Sequence, residues 1–552
     1  MATSGNKSEP TRPLTDPYED KEGNLRAFAP LSPKGNNTRG RVAVPPMKIV
    51  PVIVVAGIMG SNLRANTNPA DEQNEELKPG EAAWRPPNGI DEGMAEAKKW
   101  KARSPAVRQK ILDPNTLEVD PDGAITLGMP DANFVWNEKI AKERGWGEIH
   151  TSSYATLLTT LQQNLNTTYW SVWGNPTLEA NWSLLNQFDR AKWGIKKEGI
   201  GAALSDEEMK KFARFHYPVY AFGYNWLKSN EVSAEALKTR IESIIAYWKG
   251  RQRECSSVLL VTHSMGGLVA RACAKKIPAK IAGVIHGVMP ALGAPACYRR
   301  LSCGTETSSP SNSLIDNVKA EKFAQIAGQT TAETTPVLST AAGPLELLPN
   351  HLYPIPWLFA EIKSTQKNEV IALPVDDPYD LYADFSAWYR MIDPALADPA
   401  KEFDGTVEQT IRAAVAQAKK FHVEVLGDYY HPNTFVFYAD DTTKLSFGTC
   451  KWVPLAKSPN FSVSELFAAK PHSYVVGGGR NVETEKGVIL GLQPAVQDTA
   501  GDGTVPARSG AGPGSKVRQV FRTQGYSHQE SYVNPAMLSL TLHLIVKLMQ
   551  EV

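Results

Sequence analysis

The chain has 552 residues, with 59 Lys and Arg against 58 Asp and Glu, a formal charge of +1, 42% apolar and 21% charged residues. That is the composition of a globular protein long enough to bury a sizeable core. Neutralising nucleic-acid phosphates needs a basic excess, which is absent, and no run of about 18 apolar residues offers a bilayer span. Residues 1–47 are polar and broken by Pro10, Pro13, Gly23, Pro30, Pro33 and Gly35, which predicts a flexible arm. They contain no apolar h-region, so no secretory signal peptide is expected.

Order is expected from Lys48. The β-branched run Ile49 to Val55, ended by Ala56-Gly57, predicts a strand buried on both faces of a parallel sheet. Residues 66–145 are polar and punctuated by Trp and Pro, with a weak helical patch at Met94 to Lys101, and read as an insertion. A second buried strand is predicted over Tyr217 to Tyr224. It is followed by a helix whose Leu237, Ile241, Ile244, Ile245 and Trp248 form one stripe, with Ser233 as N-cap and Gly250 as stop. Ser257 to Thr262, Gly267 to Lys276 and Ile281 to Val288 continue as strand, helix and strand. The alternation predicts an α/β fold with a mostly parallel sheet flanked by helices.

The pattern breaks from 297 to 430, a Pro-rich stretch read as a cap or lid insertion. Leu345, Leu347, Leu348 and Trp357 are its candidate acyl-chain contacts, and a buried satellite core is the alternative. The core, begun over 48–296, resumes over 431–552 with strands at Asn433 to Ala439 and Val517 to Thr523. Its last helix opens with Asn534-Pro535. The five cysteines lack metal-ligand spacing and read as reduced, with a Cys297 to Cys303 bridge as the alternative. Gly477-Gly478-Gly479 lacks the context of a phosphate loop and reads as a hairpin tip.

The sharpest chemical signal is Val258-Leu259-Leu260-Val261-Thr262-His263-Ser264-Met265-Gly266-Gly267. A serine between strand and helix on a tight turn projects its hydroxyl above the sheet, and small residues two positions away let the turn pack; Gly266 satisfies this, and Thr262 does so less well. The helix behind Ser264 presents free N–H groups, making the Met265 amide one oxyanion donor. The loop Ala56 to Asn62 would supply the other from Ile58, a plain strand-ending turn being the alternative. Serine needs a base, and of ten histidines His528 lies in the loop before the last helix, where the chain order Ser, acid, His places it. His543 sits in an apolar helix, His286 in a strand, and His263 beside the serine reads as a structural neighbour. For the acid, Asp440 or Asp441 follows a strand, while Asp502 lies in Gly501-Asp502-Gly503-Thr504-Val505-Pro506, whose glycines let backbone fold around a carboxylate. Asp502 is preferred on that chemistry, and Asp498 is a weaker neighbour.

In their order along the chain, Pro51 to Leu63, Tyr220 to Leu227, Thr262 to Gly267 and Gly501 to Pro506 resemble the lecithin:cholesterol acyltransferase and GPI inositol-deacylase branch of α/β-hydrolases. Val284 to Pro295 and Gly343 to Pro349 resemble, within that branch, the bacterial lipases that serve as type VI secretion effectors. The resemblance implies Ser264 as nucleophile, Asp502 as acid, His528 as base and the Ile58 and Met265 amides as oxyanion hole. It implies a membrane phospholipid or other acyl ester as substrate; from the residues themselves no cofactor and no metal site is expected. It further implies a cognate immunity protein and a secretion apparatus that carries the chain from the cytoplasm into a target-cell periplasm. A lipid acyltransferase, a soluble carboxylesterase and a non-enzymatic binding module are the competing readings.

Overall fold

The computed structural model describes residues 46–128, 136–170, 177–194, 199–363, 368–455 and 462–552, with the backbone of four short strands between residues 11 and 41. The arm expected over 1–47 therefore lies almost wholly outside the described residues. The centre is a six-stranded sheet of β1 (Val52–Val55), β2 (Val219–Phe222), β3 (Val258–His263), β4 (Ile281–Gly287), β5 (Thr434–Ala439) and β6 (Gln519–Thr523). Its spatial order is β2-β1-β3-β4-β5-β6, and every pairing is parallel.

The continuous apolar runs follow from burial on both faces. Ile53, Val55 and Leu260 point into one core, with Leu237, Ile241, Ile244, Ile245 and Trp248 of helix α2 (Asn230–Gly250). Val52, Val54, Leu259 and Val261 point into the other. There they meet Leu157, Leu158 and Leu161 of α1 (Thr151–Leu165) and Leu540, Leu544 and Ile545 of the C-terminal helix, Pro535–Leu548. Between β3 and β4 runs α3 (Gly266–Lys276), and the helix Pro535–Leu548 is α4. α4 begins as expected, with Asn534 accepting from the Ala536 and Met537 amides and Pro535 in the first turn. The cap of α2 differs from expectation. Ser229 is the N-cap, accepting from the Glu231 amide, and Ser233 is buried within the helix. The helix starts earlier because the buried Glu346 carboxylate receives the Asn230 N–H at 2.7 Å, extending the first turn.

A second six-stranded sheet was not expected. It joins Leu358–Lys363 and Asn368–Leu373, from the proposed cap, to Cys450–Pro454, Lys470–Val475, Gly479–Glu483 and Ile489–Pro494. The last four lie beyond residue 430, so this layer draws on both sides of the boundary set from sequence. Its strands are five or six residues long, and the two from the proposed cap join the rest across about 75 residues of chain, between Leu373 and Cys450, which no local pattern records. Gly477 and Gly478 form the tip of a hairpin within it, each at φ 82°. All five cysteines are free. Among the described residues no helix is long and apolar enough to cross a membrane.

Candidate active site

β1 and β3 are neighbours at the point where chain order in the sheet reverses, so the loops at their C-terminal ends meet in the crevice where open α/β sheets bind ligands. Ser264 follows β3 directly, at φ 53°, a left-handed conformation that a non-glycine residue adopts only when its surroundings enforce it. Its N–H donates to the Gly287 carbonyl at 3.0 Å and its own carbonyl accepts from Gly267 at 2.9 Å. A Cβ on Gly266 would lie 2.3 Å from the Ala56 carbonyl oxygen and 2.7 Å from that of Val55, which is why the position must be small. Thr262, where a glycine is commoner, is accommodated by polar partners: its hydroxyl lies 2.8 Å from His286 Nδ1 and its carbonyl accepts from the Tyr532 hydroxyl at 2.9 Å.

Three side chains converge. Ser264 Oγ is 2.8 Å from His528 Nε2, and His528 Nδ1 is 2.7 Å from Asp502 Oδ2. Ser264 and Asp502 retain only 4% and 2% of their exposure. The Asp502 loop folds around its carboxylate. Oδ1 accepts from the Thr504 and Val505 amides at 2.9 and 2.7 Å, Gly503 has φ 92°, and a Cβ on Gly501 would strike Ser446 Oγ. The His528 N–H donates to the Asp502 carbonyl at 2.6 Å, so backbone and side chain hold the pair together. The arrangement can deprotonate a serine hydroxyl, stabilise the resulting imidazolium and support covalent acyl transfer.

The rival acids are engaged elsewhere. Asp440 pairs with Arg522 at 2.6 Å. Asp441 accepts from Thr443 and, at 2.8 Å, from the Gly525 amide, steadying the loop that carries His528. Asp498 accepts from the Gly448 and Thr449 amides. His543 is core, beside Trp193, and its imidazole is pushed down to about 4, first by burial.

The loop after β1 lies against the serine. A Cβ on Gly57 would come within 2.9 Å of both Ser264 Cβ and His263 Nδ1. The Ile58 and Met265 amides donate to no backbone or side-chain acceptor among the described residues. Two residues that sequence reasoning did not bring to the site, Trp84 and Tyr154, brace this loop, and His263, read from sequence as a structural neighbour of the serine, stands behind Tyr154. The Trp84 indole N–H donates to the Met59 carbonyl at 2.9 Å, and Tyr154 accepts from the Gly57 N–H at 2.8 Å. His263 lies between Tyr154 and the backbone of His528. The stripe Tyr154, Leu157, Leu158, Leu161 and Leu165 was available as a helix signal, but nothing in it marks the partner of the hydroxyl.

Leu345, Leu347, Leu348 and Trp357 are the candidate acyl-chain contacts. All four are buried in the core that contains α2, and Trp357 is wedged between Tyr298 and Tyr382. Their burial accords with the core alternative for these four, while Leu352 and Ile355 of the same stretch are exposed.

The fold is that of an α/β-hydrolase. Residues 206–348, which hold β2 to β4 and Ser264, match the family described as PGAP1-like alpha/beta domain. One chain of the crystal structure of the Tle4-Tli4 complex superposes with a TM-score of 0.71 at 26% identity, covering 91% of this chain and 98% of that one. A shorter similarity, 35% identity over 68 residues, links 12% of the chain to the uncharacterized protein YJR098C of Saccharomyces cerevisiae, of which the chain spans 10%. The resemblance of the motifs to α/β-hydrolase lipases close to type VI secretion effectors stands on the first two matches.

Proposed function

We propose that the protein is a serine lipase that hydrolyses acyl esters of membrane phospholipids, acting as a secreted antibacterial effector. The observation that carries the reading is the continuous Ser264–His528–Asp502 hydrogen-bonded chain at the end of β3. His528 takes the Ser264 proton as Oγ attacks the ester carbonyl, and the Ile58 and Met265 amides receive the oxyanion. Collapse expels the alcohol, protonated by His528, and leaves an acyl-serine. Water activated by the same imidazole then releases the fatty acid, while Asp502 holds the ring and stabilises its cation. The burial of Ser264 at the elbow keeps the reacting hydroxyl away from bulk water, which suits an acyl-enzyme mechanism.

The resemblance to type VI lipases supports delivery by that apparatus, and an immunity protein that protects the producing cell. Incubating wild type and Ser264→Ala with mixed phospholipid liposomes, with products read by mass spectrometry, tests the reaction. Fatty acid and lysophospholipid from wild type alone are expected. Identical product profiles from the two proteins would overturn the reading.

A further inference from the structure

We propose that Tyr154 and His263 are positioning residues that tie the oxyanion loop to the backbone of the base through one directed hydrogen-bond chain. The inference rests on the serine-esterase reading of the site. The Gly57 N–H, an obligatory donor, reaches the Tyr154 oxygen at 2.8 Å, and that hydroxyl lies 2.9 Å from His263 Nδ1. His263 Nε2 lies 3.0 Å from the carbonyl of His528, an obligatory acceptor. The two ends settle the direction. The phenol accepts from Gly57 and donates to a bare Nδ1, and the single ring proton sits on Nε2 and goes to His528. The opposite tautomer would set the Nε2 lone pair against a carbonyl lone pair.

This chain acts on both halves of the machinery. The Gly57 carbonyl accepts from the Gly60 N–H at 3.1 Å, and because the peptide is planar and trans, the Ile58 N–H must point the opposite way. Tyr154 fixes the other end of that residue, so the Ile58 donor is held at a defined distance from Ser264. On the other side, His528 is gripped through its N–H by Asp502 and through its carbonyl by His263. Gly57 and Gly60 make the room. A Cβ on Gly60 would stand 2.6 Å from the Tyr154 oxygen. Burial, and next the neighbouring His528, push the His263 imidazole down to about 3, so it stays neutral and leaves the transferred proton to His528. Side chains in such a chain polarise one another, and their contributions are coupled.

The test uses the full chain on a soluble p-nitrophenyl ester, with active enzyme counted by phosphonate titration and thermal unfolding recorded for each variant. Tyr154→Phe, which removes one oxygen, is expected to lower kcat roughly ten- to a hundredfold with KM within about twofold, since misplacement by about 1 Å costs that much. His263→Leu should fall by a similar factor. The double variant should be no slower than the slower single, because both break the same chain. His263→Gln, whose amide can still donate to the His528 carbonyl, should recover part of the loss. Tyr154→Phe with wild-type kcat, losses that multiply in the double variant, or a loss confined to the titre of active enzyme would each overturn the proposal. Wild type showing no hydrolysis beyond that of Ser264→Ala would instead remove the esterase reading, and this inference with it.

Discussion

Replacing Asp502 by Asn is nearly isosteric, yet the loop dictates how the amide must sit. The Thr504 and Val505 N–H groups, at 2.9 and 2.7 Å, demand an oxygen at the Oδ1 position, so the NH2 group takes the place of Oδ2, 2.7 Å from His528 Nδ1. Two donors cannot face each other. The imidazole therefore switches to the tautomer with Nδ1 bare and Nε2–H aimed at Ser264 Oγ, and it can no longer accept the serine proton. A wrong tautomer of this kind costs about 10⁴ in kcat, or roughly 5 kcal/mol of transition-state stabilisation. The fold should survive, because both amide bonds to the loop are kept. The comparison is Asp440→Asn, which touches only a pair with the exposed Arg522 and should leave kcat within about twofold. Steady-state rates on a soluble ester, normalised to folded protein by circular dichroism, decide the matter. Full activity in Asp502→Asn together with a large loss in Asp440→Asn would refute the assignment of the acid.

Gly266→Ala should cost about 3 kcal/mol in urea unfolding, at the upper end for overpacking, because the added carbon meets backbone oxygens of the first strand that cannot step aside. Trp84→Phe leaves the Met59 carbonyl without its indole donor; a stability loss of about 1–3 kcal/mol and a lower kcat are expected from unfolding curves and initial rates. Acid should destabilise the fold through buried histidines. His216, His263 and His286 are depressed to about 3, and His422 and His543 to about 4, chiefly by burial. Their folded values lie below the unfolded one near 6.5, so between about pH 6.5 and 4 the unfolded chain holds protons that the folded chain does not. Stability should fall with pH across that window, by up to about 1.4 kcal/mol per pH unit for each such group. Urea unfolding at a series of pH values, with no decline between pH 6.5 and 4.5, would show that these rings are hydrated.

The sequence by itself determined the central sheet and its neighbours, because a strand buried on both faces must be continuously apolar and α2 must carry a stripe. It also brought out Ser264, His528 and Asp502, since a strained elbow, a loop histidine and a glycine-flanked carboxylate are each demanded by local geometry. Only the tertiary structure decided the rest. The second sheet is assembled from strands on both sides of residue 430, and nothing local records such pairing. The apolar residues between 345 and 357 could have been cover or core, since hydrophobicity alone does not say which surface they meet; Leu345, Leu347, Leu348 and Trp357 are buried, Trp357 between Tyr298 and Tyr382, while Leu352 and Ile355 are exposed. Asp502 was preferred over Asp440 on its glycine-flanked loop, but only the tertiary structure shows it 2.7 Å from His528 Nδ1 while Asp440 pairs with Arg522. Tyr154, 109 positions from His263, and Trp84, 25 positions from Met59, were out of reach for the same reason: a hydrogen bond depends on distance in space, which sequence separation does not encode.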